Sequence, residues 1–198
     1  MKLKLFTCGP FQTNAYLLYK EKEAVLIDAP PDCGDISVFL KEHDLGLKAI
    51  LLTHGHYDHI AGLPLFPGVP VWSSEAEREM LSDPEKNLSS VFGEKSASFS
   101  GSALSEVFDF AGEVIRVISV PGHTAGGVAF YLDGMLFSGD SLFHRSVGRT
   151  DFPGGHAKNL VKNIKERLFP LPPGTEVWPG HGPKTCIEDE KRENPFLR

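Results

Sequence analysis

Six consecutive residues, His54-Gly55-His56-Tyr57-Asp58-His59, bring three imidazoles and a carboxylate together. In an extended or loosely turned loop alternate side chains share a face, so His54 and His56 converge on one metal ion while Asp58 and His59 aim at a second. Nitrogen and oxygen donors without a thiolate suit zinc, iron or manganese. A solitary histidine is usually a solvated or satisfied core residue, but such density is not a packing pattern. His123, Asp140 and His181 strengthen the case, because each follows a glycine at the end of an apolar run: Val120-Pro121-Gly122-His123, Phe137-Ser138-Gly139-Asp140 and Trp178-Pro179-Gly180-His181. Strand ends with a permissive turn gather ligands from distant parts of a sheet and leave them open to water.

The elements that must position these residues follow from patterning. Lys2 to Cys8, Asn14 to Tyr19 and Ala24 to Ile27 read as strands, Ile36 to His43 as a helix, and Ala49 to Leu52 as a short buried strand. Thr53 to His59 is a polar loop leaving that strand. Val69 to Trp72 is a further strand and Ser74 to Leu81 a helix, with Ser73 or Ser74 as cap and Glu75 and Glu77 in its first turn. The polar, serine-rich stretch from Ser82 to Gly101 reads as a surface segment. Strands resume at Val107-Phe108, Val114 to Val120, Val128 to Leu132 and Met135 to Ser138, with Asp133-Gly134 as a tight turn. His156 to Phe169 is helical and stopped by Pro170, and Glu176 to Trp178 is the last strand. Two blocks of strands followed by a helix predict an α+β protein of two sheets packed face to face with helices outside.

Composition narrows the setting. A chain of 198 residues with 41% apolar and 23% charged residues suits one folded domain, neither disordered nor membrane-embedded. The 20 basic against 26 acidic residues, a net charge of −6, lack the excess that gripping nucleic acid requires. Cys8, Cys33 and Cys186 are odd in number and far apart, which argues against a disulfide framework or a Cys-x-x-Cys site and for a reducing compartment. Gly9-Pro10 cuts the opening apolar run short of a signal-peptide core, and no apolar stretch of ~18 residues follows. The expectation is a cytoplasmic protein without membrane or nucleic-acid partners.

With its seven candidate ligands the chain resembles the metallo-β-lactamase superfamily along residues 1–198, which implies a four-layered αβ/βα sandwich. The resemblance implies that His54, His56 and His123 bind one ion, that Asp58, His59 and His181 bind the other, and that Asp140 bridges both. The nearest likeness is to short hydrolases similar to glyoxalase II, carried by Thr53 to His59, Pro121-Gly122-His123-Thr124, Gly139-Asp140-Ser141-Leu142-Phe143, Gly180 to Thr185 and Asn194-Pro195-Phe196. It implies a single domain without the helical C-terminal domain of full-length glyoxalase II. β-Lactamases with a zinc-binding cysteine carry it where this chain has Asp140. Superfamily nucleases share His54 to Pro64 but are longer, with an RNA-gripping arm. Gly148-Arg149-Thr150-Asp151-Phe152 also resembles the persulfide dioxygenases, which bind a single iron; Gly182-Pro183 after the last histidine departs from their pattern.

The chemistry implied is hydrolysis of a small thioester, S-lactoylglutathione or a related hydroxyacylglutathione, by a hydroxide held between two divalent ions, zinc first and iron or manganese as alternatives. Asp58 and Asp140 are the expected catalytic carboxylates. A thiolate leaving group, with a pKa of about 8.5, departs without a general acid. The rival readings are an iron persulfide dioxygenase and a non-catalytic metal-binding module. Arg145, Arg149 and His144, beyond Asp140, are the candidates for holding an anionic substrate, although a structural ion pair is the favoured reading of Arg145. His43 reads as a helix cap and His156 as a residue near a helix start. Tyr57 reads as a packing residue, and Trp72 and Trp178 as core or rim aromatics.

Overall fold

A computed structural model describes residues 1–93 and 101–198. Contacts divide these into two compact units, Met1–Ala103 and Leu104–Arg198. Each is built on one mixed six-stranded sheet with helices, the α+β architecture expected.

In the first unit, β1 (Lys2–Cys8), β2 (Thr13–Lys20) and β3 (Glu23–Ile27) form an antiparallel meander. The chain then crosses through helix α1 (Gly34–Glu42) to β4 (Gly46–Leu51), which lies parallel to β3. β5 (Val71–Ser73) and β6 (Ser102–Ala103) extend the sheet in the same sense. Strands so placed are covered on both faces, and their sequences show it. Leu17, Leu26, Ile50 and Leu52 pack with Ile36 and Leu81, while alternate residues Leu18, Val25, Ile27 and Leu51 are equally buried. The parallel strands β3, β4 and β5 end at a common edge, from which the chain delivers Asp28, the His54–His59 run and Glu77. Crevices at the carboxyl ends of parallel strands are the usual home of sites in such sheets.

The second unit contains β7 (Val107–Phe110), β8 (Glu113–Ser119), β9 (Val128–Leu132) and β10 (Met135–Gly139), a small hairpin β11 (Leu142–Phe143) and β12 (Ser146–Val147), then β13 (Glu176–Pro179) and β14 (Thr185–Cys186). The sheet order is β14-β13-β10-β9-β8-β7. β9 runs against both β8 and β10, and β13 is parallel to β10, so β8, β10 and β13 all point the same way. His123, Asp140 and His181 follow their ends and therefore leave the sheet at one edge. Asp133 and Gly134, both at positive φ (48° and 79°), make the β9–β10 turn. Leu160, Ile164, Leu168, Val177 and Ile187 form the local core.

Several local expectations need correction. The polar loop after β4 does not stay irregular, because Tyr57–Ile60 winds into a helical turn, α2, preceded by an extended His56. The helix expected over Ser74 to Leu81 divides into a 3-10 turn, Glu75–Glu77, and α3 (Arg78–Ser82), and Ser74 makes no side-chain capping bond. The helix from His156 divides into α4 (Ala157–Asn163) and a π-helical turn, Ile164–Leu168, closed by the Phe169 N–H donating to the Ile164 carbonyl at 3.0 Å. His156 caps α4 through its ring nitrogen, which accepts from the Asn159 N–H. The segment read as surface contains buried Asn87 and Ser89, and Asn87 O accepts from the Tyr57 N–H at 2.7 Å; its residues 94–100 lie outside the described residues. The last helix, α5, spans Ile187–Glu193.

Cys8, Cys33 and Cys186 are free thiols. Burial pushes the Cys33 thiol up to about 12 and raises Cys8 and Cys186 as well, so none is an activated nucleophile. No helix among the described residues is long and apolar enough to cross a membrane.

Candidate metal centre

The first unit presents a compact donor set. The His54 ring lies 4.8 Å from His56 and 4.2 Å from His59, centroid to centroid. His59 Nε2 stands 3.7 Å from Asp58 Oδ2. The Nε2 atoms of His54, His56 and His59 are all shut off from solvent.

Hydrogen bonding decides which nitrogen each ring offers. Asp28, buried at the end of β3, accepts the Thr53 N–H on Oδ1 (2.8 Å), the Thr53 hydroxyl on Oδ2 (2.7 Å) and His59 Nδ1–H on Oδ2 (2.8 Å). The Thr53 hydroxyl has one proton and gives it to Asp28, so its 3.1 Å contact with His54 Nδ1 requires that nitrogen to be the donor. His54 and His59 are thereby fixed as tautomers with the Nε2 lone pair available, the arrangement that metal-binding imidazoles take when an outer carboxylate or hydroxyl holds the other nitrogen. Asp58 is aimed by Thr13, whose hydroxyl donates to Oδ2 at 3.0 Å. Glu77, also buried, accepts the Gly55 N–H at 2.8 Å and so pins the backbone between His54 and His56.

The second unit presents the complementary set. His123 Nε2 and His181 Nε2 lie 3.6 Å and 3.5 Å from Asp140 Oδ2. Those separations are long for hydrogen bonds, but they match neighbouring ligands on one ion: bonds of ~2.0–2.1 Å at a tetrahedral centre put ligands about 3.4 Å apart. His123 Nδ1 meets the Arg149 carbonyl at 2.7 Å; a carbonyl only accepts, so Nδ1 carries the proton and Nε2 again offers the lone pair. Gly122 (φ 143°) has Leu160 of α4 against its Cα, where any Cβ would overlap the helix backbone. The donor chemistry of both units therefore fits divalent metal ions.

The substrate candidates are placed differently. Arg149 is exposed, forms a two-pronged pair with Asp151 (2.7 Å for each bond), and lies over the Phe152 ring at 3.9 Å. The guanidinium holds the Asp151 carboxyl down at about 2, so the pair is ionised at all ordinary pH; any contribution it makes is present above the unfolded value near ~3.9 and is lost as pH falls through about 2. Arg145 is tied to α5 through Glu190 and Glu193, the structural pairing favoured from sequence. His144 is exposed at the tip of the β11–β12 hairpin. His43 closes α1 with Nδ1 on the Phe39 carbonyl at 3.0 Å, and Tyr57 stacks on Phe92.

Asp28, Thr13 and Glu77 were not singled out as site residues from sequence. Asp28 carried a partial signal, a carboxylate directly after the apolar run Ala24 to Ile27, without the glycine that precedes Asp140. Replacing Glu77 by alanine leaves the Gly55 N–H without its acceptor. The expected cost is roughly 1–3 kcal/mol in thermal unfolding. Glutamine, which keeps an acceptor oxygen, should recover most of it.

The sequence profile of the metallo-beta-lactamase superfamily matches residues 8–181. Hydroxyacylglutathione hydrolase GloC of Haemophilus influenzae is 33% identical over 210 aligned positions, which cover 100% of this chain and 98% of that protein. Among solved structures, BLEG-1 B3 metallo-beta-lactamase superposes with a TM-score of 0.91 at 38% identity over 99% of both chains. TTHA1623 in a di-iron-bound form gives 0.86 at 36% identity, over 98% of this chain and 100% of its own. The chain belongs to the metallo-β-lactamase superfamily and is a metallo-hydrolase of that family.

Proposed function

We propose that the protein hydrolyses a small thioester, S-lactoylglutathione or a related hydroxyacylglutathione, with two divalent ions. By the resemblance to the superfamily, His54, His56 and His123 would hold one, Asp58, His59 and His181 the other, and Asp140 would be shared between them. The observation that carries this reading is the fixed presentation of Nε2 by His54, His59 and His123. Likeness to GloC along the whole chain supports the substrate class. A nitrogen and oxygen donor set accepts zinc, iron or manganese; zinc is the first choice, and the di-iron form of TTHA1623 makes iron the next.

Bound divalent ions would supply Lewis acidity and a water acidified to a pKa near ~7. The protein's part is to hold the ligands rigid beforehand. Asp28 orients His59 and raises its basicity, Thr13 holds one oxygen of Asp58, and the Arg149 carbonyl orients His123. No side chain needs to protonate the leaving group, because a thiol of pKa about 8.5 departs as thiolate. Arg149, paired with Asp151, is the cation available to an anionic group of the substrate. Replacing Asp151 by asparagine frees that guanidinium and is expected to lower KM for an anionic thioester by up to ~5-fold with kcat unchanged, an exposed pair being worth at most about 1 kcal/mol. The proposed setting is cytoplasmic, without a nucleic-acid or membrane partner.

The test is a substrate panel: S-lactoylglutathione, a neutral thioester, a β-lactam, and glutathione persulfide with oxygen uptake monitored. Thiol release from S-lactoylglutathione, at a kcat/KM well above the others, is the expected result. The name of BLEG-1 makes the β-lactam the strongest rival; preferential opening of the lactam, or oxygen uptake with the persulfide, would overturn the thioester reading.

A further inference from the structure

The hairpin β11–β12 is too short to hold its own shape. It has two pairs of residues, Leu142 with Val147 and Phe143 with Ser146, and an isolated two-stranded ribbon is marginal at best. Its tip residue Arg145 sits at φ 55°, a conformation that costs a non-glycine residue roughly 1 kcal/mol. Yet this hairpin reaches all three ligands of the second unit. Phe143 meets the His181 ring edge-on at 6.2 Å. Gly148, just after β12, lies where a Cβ would overlap the Asp140 carbonyl oxygen and stand 3.2 Å from His123 Nδ1. The next carbonyl, of Arg149, accepts His123 Nδ1–H.

Leu142 and Val147 seat the base of the hairpin in the local core and the Ser138 hydroxyl donates to the Leu142 carbonyl (2.7 Å), while its tip is held from α5. Glu190 is fully buried. Its carboxylate accepts the Arg145 N–H on both oxygens (3.1 and 3.0 Å), the Thr185 hydroxyl on Oε1 (2.7 Å) and Asn194 Nδ2–H on Oε2 (2.7 Å). Asn194, equally buried, donates its amide to the Ser146 carbonyl as well (3.0 Å) and accepts the Phe196 N–H on Oδ1 (3.0 Å). Glu193 pairs with the Arg145 side chain. Every polar atom of the Asn194 side chain is thus committed, one of its three hydrogen bonds reaching across to the hairpin. We infer that Glu190 and Asn194 form a positioning latch, through which the C-terminal helix sets the geometry of His123, Asp140 and His181. The Asn194-Pro195-Phe196 segment acquires a function by this route: its asparagine reaches the hairpin and its proline ends the helix.

The inference rests on the reading of those three residues as metal ligands, and the test separates the two. Metal-stripped protein is titrated with cobalt(II), following the visible absorption of the bound ion, and amide hydrogen exchange is measured over residues 142–149. Wild-type protein should bind two equivalents. Asn194→Ala should lose about 10–100-fold in affinity for at least one, with an altered cobalt spectrum and faster exchange in the hairpin. Lys191→Ala, on the same helix and placed over Phe169, should match wild type. Should Asn194→Ala fail to give a cooperative melt, Glu190→Gln, which turns a donor toward the donors now satisfied, is read in the same way. A variant with faster hairpin exchange but wild-type cobalt affinity and spectrum would overturn the latch alone. Wild-type protein that binds no cobalt would overturn the metal reading beneath it.

Discussion

Asp140→Asn is expected to reduce thiol release from S-lactoylglutathione to background and to remove at least one metal ion per chain. Asparagine copies the shape of the side chain, so the effect isolates charge. Only Asp58 and Asp140 are anionic in the proposed set of seven ligands. Four positive charges on two ions are therefore balanced by two carboxylates, and losing one leaves a buried excess of positive charge that the five neutral imidazoles cannot offset. Asp140 Oδ2 is the atom to which both His123 and His181 turn Nε2, at 3.6 and 3.5 Å. Losing outer-shell support alone costs metal sites about 10–100-fold in affinity, and a direct ligand costs more. Metal analysis after gel filtration, with the thiol assay run on the same sample, checks both halves of the expectation. The fold should survive, because Asp140 follows β10 and takes no part in its pairing with β9 or β13.

Asp28→Ala should produce the second largest change, with a different signature. Three donors, the Thr53 N–H, the Thr53 hydroxyl and His59 Nδ1–H, lose their acceptor at once in a buried place. A single orphaned buried group costs about 1–3 kcal/mol, so destabilisation of roughly 3 kcal/mol or more is expected, a large share of the ~5–15 kcal/mol that holds a domain together. Affinity for metal should fall about 10–100-fold because His59 and His54 are no longer held as Nδ1–H tautomers. Asp28→Ala should therefore lower both the melting temperature and metal content, whereas Asp140→Asn lowers chiefly metal content and activity. Thermal melts of the metal-stripped proteins separate the two. An Asp28→Ala protein that melts like wild type without metal would show that the three hydrogen bonds have little energetic weight.

The contrast between these two aspartates also marks what could be read from residues alone. Asp140 was legible because a glycine and an apolar strand run precede it and other ligands share that pattern. Asp28 follows an equally apolar run but stands apart from the histidines in sequence; only the parallel pairing of β3 with β4, Ile27 beside Leu51, sets it against Thr53. Strand identity was similarly accessible, since short apolar runs bounded by turn residues specify strands locally. The divided helices were not. At Glu77 a 3-10 turn passes directly into α3, and the inward bond of its carboxylate to the Gly55 N–H is a long-range contact that no local propensity reports. Arg149 illustrates a third case: its charge was noticed, whereas its backbone carbonyl, which orients His123, has no signature in a side-chain alphabet.

The most direct test of the account is to restore metal stepwise to stripped protein, without oxygen, while measuring thiol release from S-lactoylglutathione and bound metal in the same samples. The account predicts activity that rises to a maximum at two equivalents of zinc or iron per chain and is abolished by Asp140→Asn. Full activity at one equivalent, or turnover that appears only when oxygen is admitted, would contradict it.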